Sequence, residues 1–585
     1  MYILGIHPSH NATAALLKDG KIIACVSEER FVRVKNFWGF PSNSVNFLLD
    51  FARIKPDDLD LVVVSQCTEI HNLDGKSFDM FNNITSEKKF FFKRFRSHIF
   101  YRYPKTTGWL LKLRHYLKYN NYKVNKNISH SRKYISDKLK IEKNKIVFID
   151  HHDSHCYASC FNLPRDKKTL IFSIDGEGDY ATSATVNIFN GRDLKRISET
   201  KKDASLGFLY ALTTFYLGMK PNEHEFKVMG LAPYAKKNDV DKIYPSFKKV
   251  LWVDGMKFKS RFSMTYFEYF LNDKMKNVRF DKIASSVQRL TEELFCEWVK
   301  NSIIKTNISS ISLSGGVAMN VKACQKISEL GEMEEIFVMP SAGDESTALG
   351  ACYYGYSEYC RRKNLNFDPK PLKDLYLGPD YSEEEITLFL NENNYFKKYI
   401  IKKMKNIEVE AAKILSRGEI VARLNGRSEF GARALGNRSI LSNPSNQESI
   451  RVLNELIKDR DFWMPFTPSI IQEDEKRYIF NPEKIDSPYM VITFNSTEKA
   501  RRDLPAAMHP YDFTIRPQIV FKDWNPSYYK LIKEFKKITG IGAVLNTSFN
   551  LHGEPNVLSP KDAIHTFENS GLRYLILGNY LIQKR

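Results

Sequence analysis

The chain opens with short apolar runs separated by polar, turn-forming residues. YILGIHPSHN predicts a strand running into a polar loop. ATAALLKDGKIIACVSE predicts two further strands joined by a tight turn at Lys18-Asp19-Gly20-Lys21. The pattern returns in TLIFSIDGEGD followed by YATSATVNIFNGRDLKRISE, with Asn-Gly as the turn, so an internal duplication of two similar α/β halves is expected. ISSISLSGGVAMNVKACQKI and MEEIFVMPSAGDESTALGACYYGY each read as a strand, a glycine-bearing bend and a helix. Small residues after a strand let backbone N–H groups approach phosphate at a helix start, and three such loops predict a nucleotide cleft. RRKNLNFDPKPLKDL, at 361–375, is polar with two prolines and reads as a linker. Beyond it, 376–585 begins with a helical EEEITLFLNEN and continues in short strands and glycine turns, a second α/β domain.

Composition narrows the class. At 585 residues, 43% apolar and 27% charged, the chain is globular. No run approaches the ~18 apolar residues of a spanning helix, and the N-terminus lacks secretory features, so a cytoplasmic protein is expected. Eight scattered cysteines without a CxxC predict buried thiols, not a zinc ribbon or redox motif. The net charge of +20 is concentrated: between Lys88 and Lys140 sixteen Lys/Arg face one acid, Asp137. That basic stretch, rich in aromatics, suits nucleic acid, an anionic surface or an acidic substrate. Its plainer reading is a helical insertion, about 70–145, with core aromatics and solvated bases, because LLKLRHYLKY repeats at helical spacing.

Two constellations could carry chemistry. In FIDHHDSHCYASCF, His151 and His155 are four apart; on a helix they share a face and can grip one metal ion. Asp175 in SIDGEGD and Asp344 in SAGDESTALG each stand in a glycine loop after a strand, and two His with two carboxylates suit a divalent iron or zinc ion. The competing reading is helix capping by Asp150 or Asp153 with hydrogen-bonded histidines. In NGRSEFGARALGNRS, Arg427, Arg433 and Arg438 are interleaved with glycine, as forks for phosphate or carboxylate would be, with Lys458, Arg460, Arg516, Asn546 and Ser548 as further contacts.

The stretches ILGIHPSHNATAALLKDGKI, EERFVRVK, DHHDSHCYAS, SIDGEGD, FKVMGLAPY, LSGGVAMN, PSAGDESTALGA, GRSEFGARALGNRSIL, RPQIV and LNTSFN run in order through both halves. Through them the chain resembles the NodU/CmcH family of O-carbamoyltransferases. The resemblance implies an ASKHA-type domain similar to TsaD over 1–360 and a YrdC-like domain over 376–585. It implies that carbamoyl phosphate and ATP, with Mg2+, yield carbamoyladenylate in the second domain. The first domain would then pass the carbamoyl group to an acceptor hydroxyl with the help of a divalent metal, Fe2+ in close relatives. By position, the implied metal ligands are His151, His155, Asp175 and Asp344, and the general base is His10. Arg433, Lys458, Arg516, Asn546 and Ser548 would hold carbamoyl phosphate. Lys227, Gly315, Gly316, Asn320 and Gly343 would hold nucleotide. The chain departs from the pattern at Met464, where many relatives have arginine; Arg460 or Arg438 could compensate. The acceptor is expected to be a small molecule or glycan, with no nucleic-acid partner, and a homodimer is compatible. Two alternatives remain at this point: an RNA-associated, TsaD-like tRNA-modifying protein and a sugar-kinase-like phosphotransferase.

Overall fold

The structure, a computed structural model, describes residues 1–68, 73, 97–119, 121–163, 166–458 and 461–585. It divides into two compact units. The first comprises Met1–Glu28 and Asn36–Leu372; the second comprises Glu29–Lys35 and Lys373–Arg585.

The duplication expected for the first unit is present as two five-stranded sheets with one topology. One runs Lys21–Ser27, Thr13–Lys18, Tyr2–His7, Leu61–Val64, Ile146–Phe148; the other runs Leu194–Lys201, Thr182–Phe189, Thr169–Ile174, Ser310–Ser314, Glu335–Val338. In each, three antiparallel strands from a meander are extended by two parallel ones. The first hairpin turns at Asp19 and Gly20, both at positive φ (49° and 81°), as a two-residue turn matched to strand twist requires. Parallel strands need crossovers, and helices supply them. The 27-residue helix Phe280–Thr306 buries Trp298 against Phe172, Phe258 and Phe295.

Two packing details set the site. Helix Thr347–Lys363 begins in small residues (TALGA), and its backbone approaches both neighbours closely. A Cβ on Gly350 would lie 1.7 Å from the Ser154 carbonyl oxygen, and one on Gly5 would lie 2.1 Å from that of Ala348. The helix is thus fitted between His151–Ser159 and the strand Tyr2–His7 with no room for a methyl group.

The basic stretch is helical where described, in Pro104–Lys118 and Asn121–Leu139. Its second helix has an ordinary buried face, with Val124 buried and Ile135 and Leu139 in the core of the first sheet. On the first helix Trp109, Leu113 and Leu117 are 62%, 46% and 52% exposed, against the expectation of core aromatics there. The FFFKRFR segment with Lys93, Arg94 and Arg96 lies outside the described residues.

The second unit is α/β, built on an eight-stranded mixed sheet in the order Ile400–Lys403, Tyr580–Gln583, Tyr574–Leu577, Val421–Leu424, Arg438–Ser442, Ala543–Ser548, Thr467–Ile471, Gln518–Val520. Strand alternation divides its core. Ala422, Ile440, Leu545 and Leu575 pack with helix residues Ile386, Leu390, Ile564 and Phe567. Val421, Leu441, Val544 and Ile576 pack with Leu415, Tyr528, Ile532 and Phe535. The EEEITLFLNEN segment is the helix Glu383–Glu392, started by a capping box between Ser382 and Glu385. Between it and Lys363, residues 364–382 carry no helix or strand. All eight cysteines are free thiols, and seven are buried.

Candidate active site

HHDSHCYAS is a helix, His151–Ser159, because its N-terminus is satisfied twice. The Asp150 carboxylate accepts from the His152 and Asp153 amides, and the buried Asp179 carboxylate accepts from the His151 amide at 2.9 Å. The capping alternative and the metal alternative are therefore not exclusive. Asp150 caps, and the three histidines divide the remaining work. His152 is fully hydrogen-bonded: its Nε2 donates to the Thr182 carbonyl at 3.0 Å, and its Nδ1 meets Ser173 Oγ at 2.7 Å. His151 and His155, one turn apart, face Asp175 and Asp344.

These four side chains converge, each offering one ligand atom within 4.8 Å of the others. His155 Nε2 is 3.3 Å from Asp175 Oδ2 and 3.6 Å from Asp344 Oδ1; His151 Nε2 is 3.5 Å from Asp344 Oδ1 and 3.9 Å from Asp175 Oδ2. Bonds of about 2.1 Å to a tetrahedral ion place ligand atoms about 3.4 Å apart, so the spacing fits one divalent cation. The imidazoles supply a second indication. Both ring nitrogens of His151 and Nε2 of His155 are buried and make no aligned hydrogen bond, a costly arrangement unless a ligand completes them. Ser314 and Ser346 hydroxyls stand 3.5 and 3.4 Å from His155 Nδ1 and orient Nε2 toward the cluster. The Gly176 amide donates to Asp175 Oδ1 and the Gly316 amide to its Oδ2.

The electrostatics follow from this geometry. Burial disfavours the His151 imidazolium, but Asp344 and Asp175 outweigh it and lift the group to about 9. His155 is raised by the same two carboxylates against the same burial. Asp175 is held well below the usual carboxylate range, since His151 and His155 overcome its desolvation. The two carboxylates thus favour the charged form of both imidazoles, and a divalent ion can take over that positive charge.

Sequence reasoning missed His7. Fully buried, it accepts the Ser65 hydroxyl proton at Nδ1 and donates from Nε2 to the His10 carbonyl at 2.9 Å. Burial holds it neutral, down to about 4, although Asp344 Oδ2 lies only 3.9 Å from Nε2. His7 fixes the backbone of His10, whose ring stands edge-on to Trp38 at 6.1 Å. Asp179 was missed as well: besides His151 it accepts the Cys67 and Thr68 amides and the Thr68 hydroxyl. Both stand in the GIHPSHN and SIDGEGD motifs, but only the fold reveals what they hold.

Of the remaining first-unit residues, Gly315, Gly316 and Gly343 lie on the loops that carry the cluster, Gly343 immediately before Asp344. The Asn320 side chain caps helix Val321–Ser328 through the Ala323 amide and pairs with Gln288. Lys227 lies half-buried on helix Glu225–Leu231.

In the second unit the loop holding Arg433 is pinned from two strands. Asn546 Nδ2 donates to the Ala434 carbonyl at 3.0 Å, and Gln518 Nε2 donates to that of Leu435 at 2.9 Å. Arg516 is two residues before Gln518. The assignment of Asn546 Nδ2 follows from the carbonyl it meets, and leaves Oδ1 buried without a hydrogen bond. Ser548 Oγ donates to Asn550. Lys458 ends the turn Asn454–Lys458, but its side chain, like Arg460, lies outside the described residues. Two expected anion forks are committed elsewhere. Arg438, fully buried, donates to the carbonyls of Leu558, Gly426, Asn437 and Pro379, and Arg427 donates to those of Gly378 and Leu377. These arginines shape loops, and carbonyls take four of the five N–H donors of Arg438, so it does not present a free fork in place of an arginine at Met464.

Residues 2–353 match the carbamoyltransferase N-terminus model and residues 412–584 the carbamoyltransferase C-terminus model. The chain belongs to the carbamoyltransferase family and is a transferase enzyme. It is 31% identical to an uncharacterised Synechocystis sp. protein over all of this chain and 97% of that one. It is 30% identical to nodulation protein NolNO of Sinorhizobium fredii over 98% of this chain and 79% of that protein. The 3'-hydroxymethylcephem-O-carbamoyltransferase of Amycolatopsis lactamdurans is 26% identical over 74% of this chain and 80% of its own length. Among the described residues no helix is long and apolar enough to cross a membrane.

Proposed function

We propose that this carbamoyltransferase acts in two half-reactions, one in each unit, and delivers its carbamoyl group to a hydroxyl of a small molecule or glycan. In the second unit, water cleaves carbamoyl phosphate into carbamate and inorganic phosphate, and a carbamate oxygen then displaces pyrophosphate from the α-phosphorus of ATP (bound with Mg2+) to form carbamoyladenylate. Arg433, Arg516 and Lys458 bind the phosphate oxygens. The Asn546 amide oxygen, buried and lacking a donor, takes a carbamoyl N–H. Ser548 adds a hydroxyl contact.

In the first unit the acceptor oxygen attacks the carbamoyl carbon, the new C–O bond forms, and AMP leaves. Gly315, Gly316, Asn320, Gly343 and Lys227 surround the nucleotide. His10, held by His7 through its backbone, takes the acceptor proton; a hydroxyl is a poor nucleophile near neutrality, and an imidazole suits the transfer. His151, His155, Asp175 and Asp344 hold a divalent ion, Fe2+ in this reading, which when bound supplies Lewis-acid polarisation of the carbamoyl carbonyl.

The observation that carries this reading is the cluster of two buried imidazoles and two half-buried carboxylates, with ring nitrogens that make no aligned hydrogen bond, in a chain that matches both halves of the carbamoyltransferase family. Exchange of labelled pyrophosphate into ATP tests the first half-reaction. It should require carbamoyl phosphate and vanish in Arg433→Ala. Exchange that ignores carbamoyl phosphate would overturn adenylate formation. Mass spectrometry of hydroxylated acceptors, seeking the gain of one carbamoyl group, tests the second half-reaction. Transfer retained in His10→Ala would remove His10 as the base.

A further inference from the structure

The helix Asn121–Leu139 forms one wall of an open groove of about 1,020 Å3 in the first unit. Lys126, His130, Arg132 and Lys133 line it from this helix, Lys143 from the next turn, and Arg362 from the last turn of helix Thr347–Lys363. The strand Ile146–Phe148, at the edge of its sheet, forms the floor. No carboxylate is among the described residues that line the groove, and within the described residues none of Lys126, Lys133, Lys143 and Arg362 forms a salt bridge. Arg132 is half-buried with its guanidinium 5.4 Å from the Phe148 ring, and its Nε is buried without a hydrogen-bond partner. Like charges from three elements face one space, and self-repulsion makes that arrangement unfavourable until an anion fills it.

The groove is tied to the candidate active site by a short chain of hydrogen bonds. Asn127, on the basic helix, donates to the Thr68 carbonyl at 3.1 Å. The Thr68 amide and that of Cys67, which lines the groove, donate to Asp179, the carboxylate that receives the His151 amide. Tyr119, following the preceding helix, donates to Glu177 at 3.0 Å in the Asp175 loop. The wall of the groove is thus hydrogen-bonded to the backbone that carries two of the four cluster residues.

We infer that this groove binds the diphosphate of a phosphorylated, hydroxyl-bearing acceptor. The inference deepens the carbamoyl-transfer reading and rests on it for the word acceptor. The size decides between occupants: about 1,020 Å3 is the upper end of small-molecule sites, which span roughly 300–1,000 Å3. A single-stranded nucleic acid needs a longer track with aromatic stacking platforms; among the described lining residues there is no Trp or Tyr, and Phe148 lies under Arg132. A diphosphate offers oxygens on two phosphorus atoms, enough to engage cations from opposite elements at once, by bidentate contact with Arg132 or Arg362 and point contact with the lysines.

Calorimetric titration of the full chain with uridine diphosphate, in the absence of ATP and carbamoyl phosphate, tests this. Two double variants address separate elements: Lys126→Ala/Lys133→Ala on the helix, and Lys143→Ala/Arg362→Ala beyond it. Both replace solvent-facing cations, and a thermal melt verifies folding. A bridging diphosphate requires that each pair raise Kd at least tenfold. A smaller change in either folded pair overturns the proposal, because a diffuse counterion atmosphere would lose only a little with each pair. Tighter retention of a single-stranded oligonucleotide than of uridine diphosphate by the unaltered protein would overturn it in favour of RNA. The titration needs no catalysis: its failure leaves carbamoyl-phosphate-dependent exchange standing, and failure of exchange leaves the isotherm standing.

Discussion

Replacing Gly350 with alanine should empty the histidine–aspartate cluster of metal without unfolding the chain. The methyl group would stand 1.7 Å from the Ser154 carbonyl oxygen, whereas real contacts keep 3.0 Å, so the two helices must part by about 1.3 Å. Ser154 lies between His151 and His155 on one helix, and Asp344 stands at the foot of the other. The displacement therefore passes into the His–Asp344 separations, now 3.5 and 3.6 Å. Ligand bonds tolerate about 0.2 Å, so an ion could no longer reach both sides. Overpacking of this kind costs about 1–3 kcal/mol, which a large domain survives. Metal content measured after equilibration at defined free Fe2+ or Zn2+ should fall from one ion per chain to a small fraction, with far-UV circular dichroism unchanged. Gly355→Ala is the control: its methyl would meet only the side-chain ends of Val63 and Ile3, so it should lower Tm and keep the metal. A folded Gly350→Ala protein with full metal content would show that this helix crossing does not set the cluster.

His155→Ala should lose most of the metal, whereas His152→Ala should keep it and lose about 1–3 kcal/mol of stability, because Ser173 and Thr182 are left without partners; equal metal loss would contradict the division of the histidines. Metal uptake should release protons: His151, held up to about 9 by its carboxylate neighbours against burial, is protonated at neutral pH and must give up that proton to bind, so affinity rises as pH approaches 9 and falls below it. Calorimetry in buffers of different ionisation enthalpy measures this, and a buffer-independent heat would refute it. Arg438→Ala should destabilise the second unit by about 3–5 kcal/mol in urea unfolding, since four carbonyls lose their donor. A change below about 1 kcal/mol would contradict the structural role assigned to it.

Periodicity reveals what is local. The duplicated meanders, the helix in EEEITLFLNEN and the four-residue spacing of His151 and His155 are all written in short windows, and each appears in the structure as read. What depends on long-range packing is not. HHDSH offers three histidines, and only contact with Ser173 and Thr182 separates His152 from the other two. Arg427, Arg433 and Arg438 look equivalent between their glycines. The carbonyls that occupy Arg427 and Arg438 come from residues 12 to 120 positions away for Arg438, apart from its neighbour Asn437, and 49 to 50 away for Arg427. Nor does helical spacing tell that Trp109, Leu113 and Leu117 stay exposed, since a stripe looks the same whether or not anything covers it.

The segment Glu29–Lys35 belongs to the second unit although the chain delivers it among the first strands of the other. Arg30 donates to the Gly431 carbonyl, and Arg33 donates to those of Pro555 and Asn556 while pairing with Glu554. A fragment beginning at Lys373 would keep its eight-stranded sheet yet leave those three acceptors unmatched, a lesion at the very loops that frame Arg433 and Ser548. Such a fragment should behave as a protein missing one of its own pieces, and a synthetic peptide spanning Glu29–Lys35 should restore it in trans, much as a severed chain is healed by complementation.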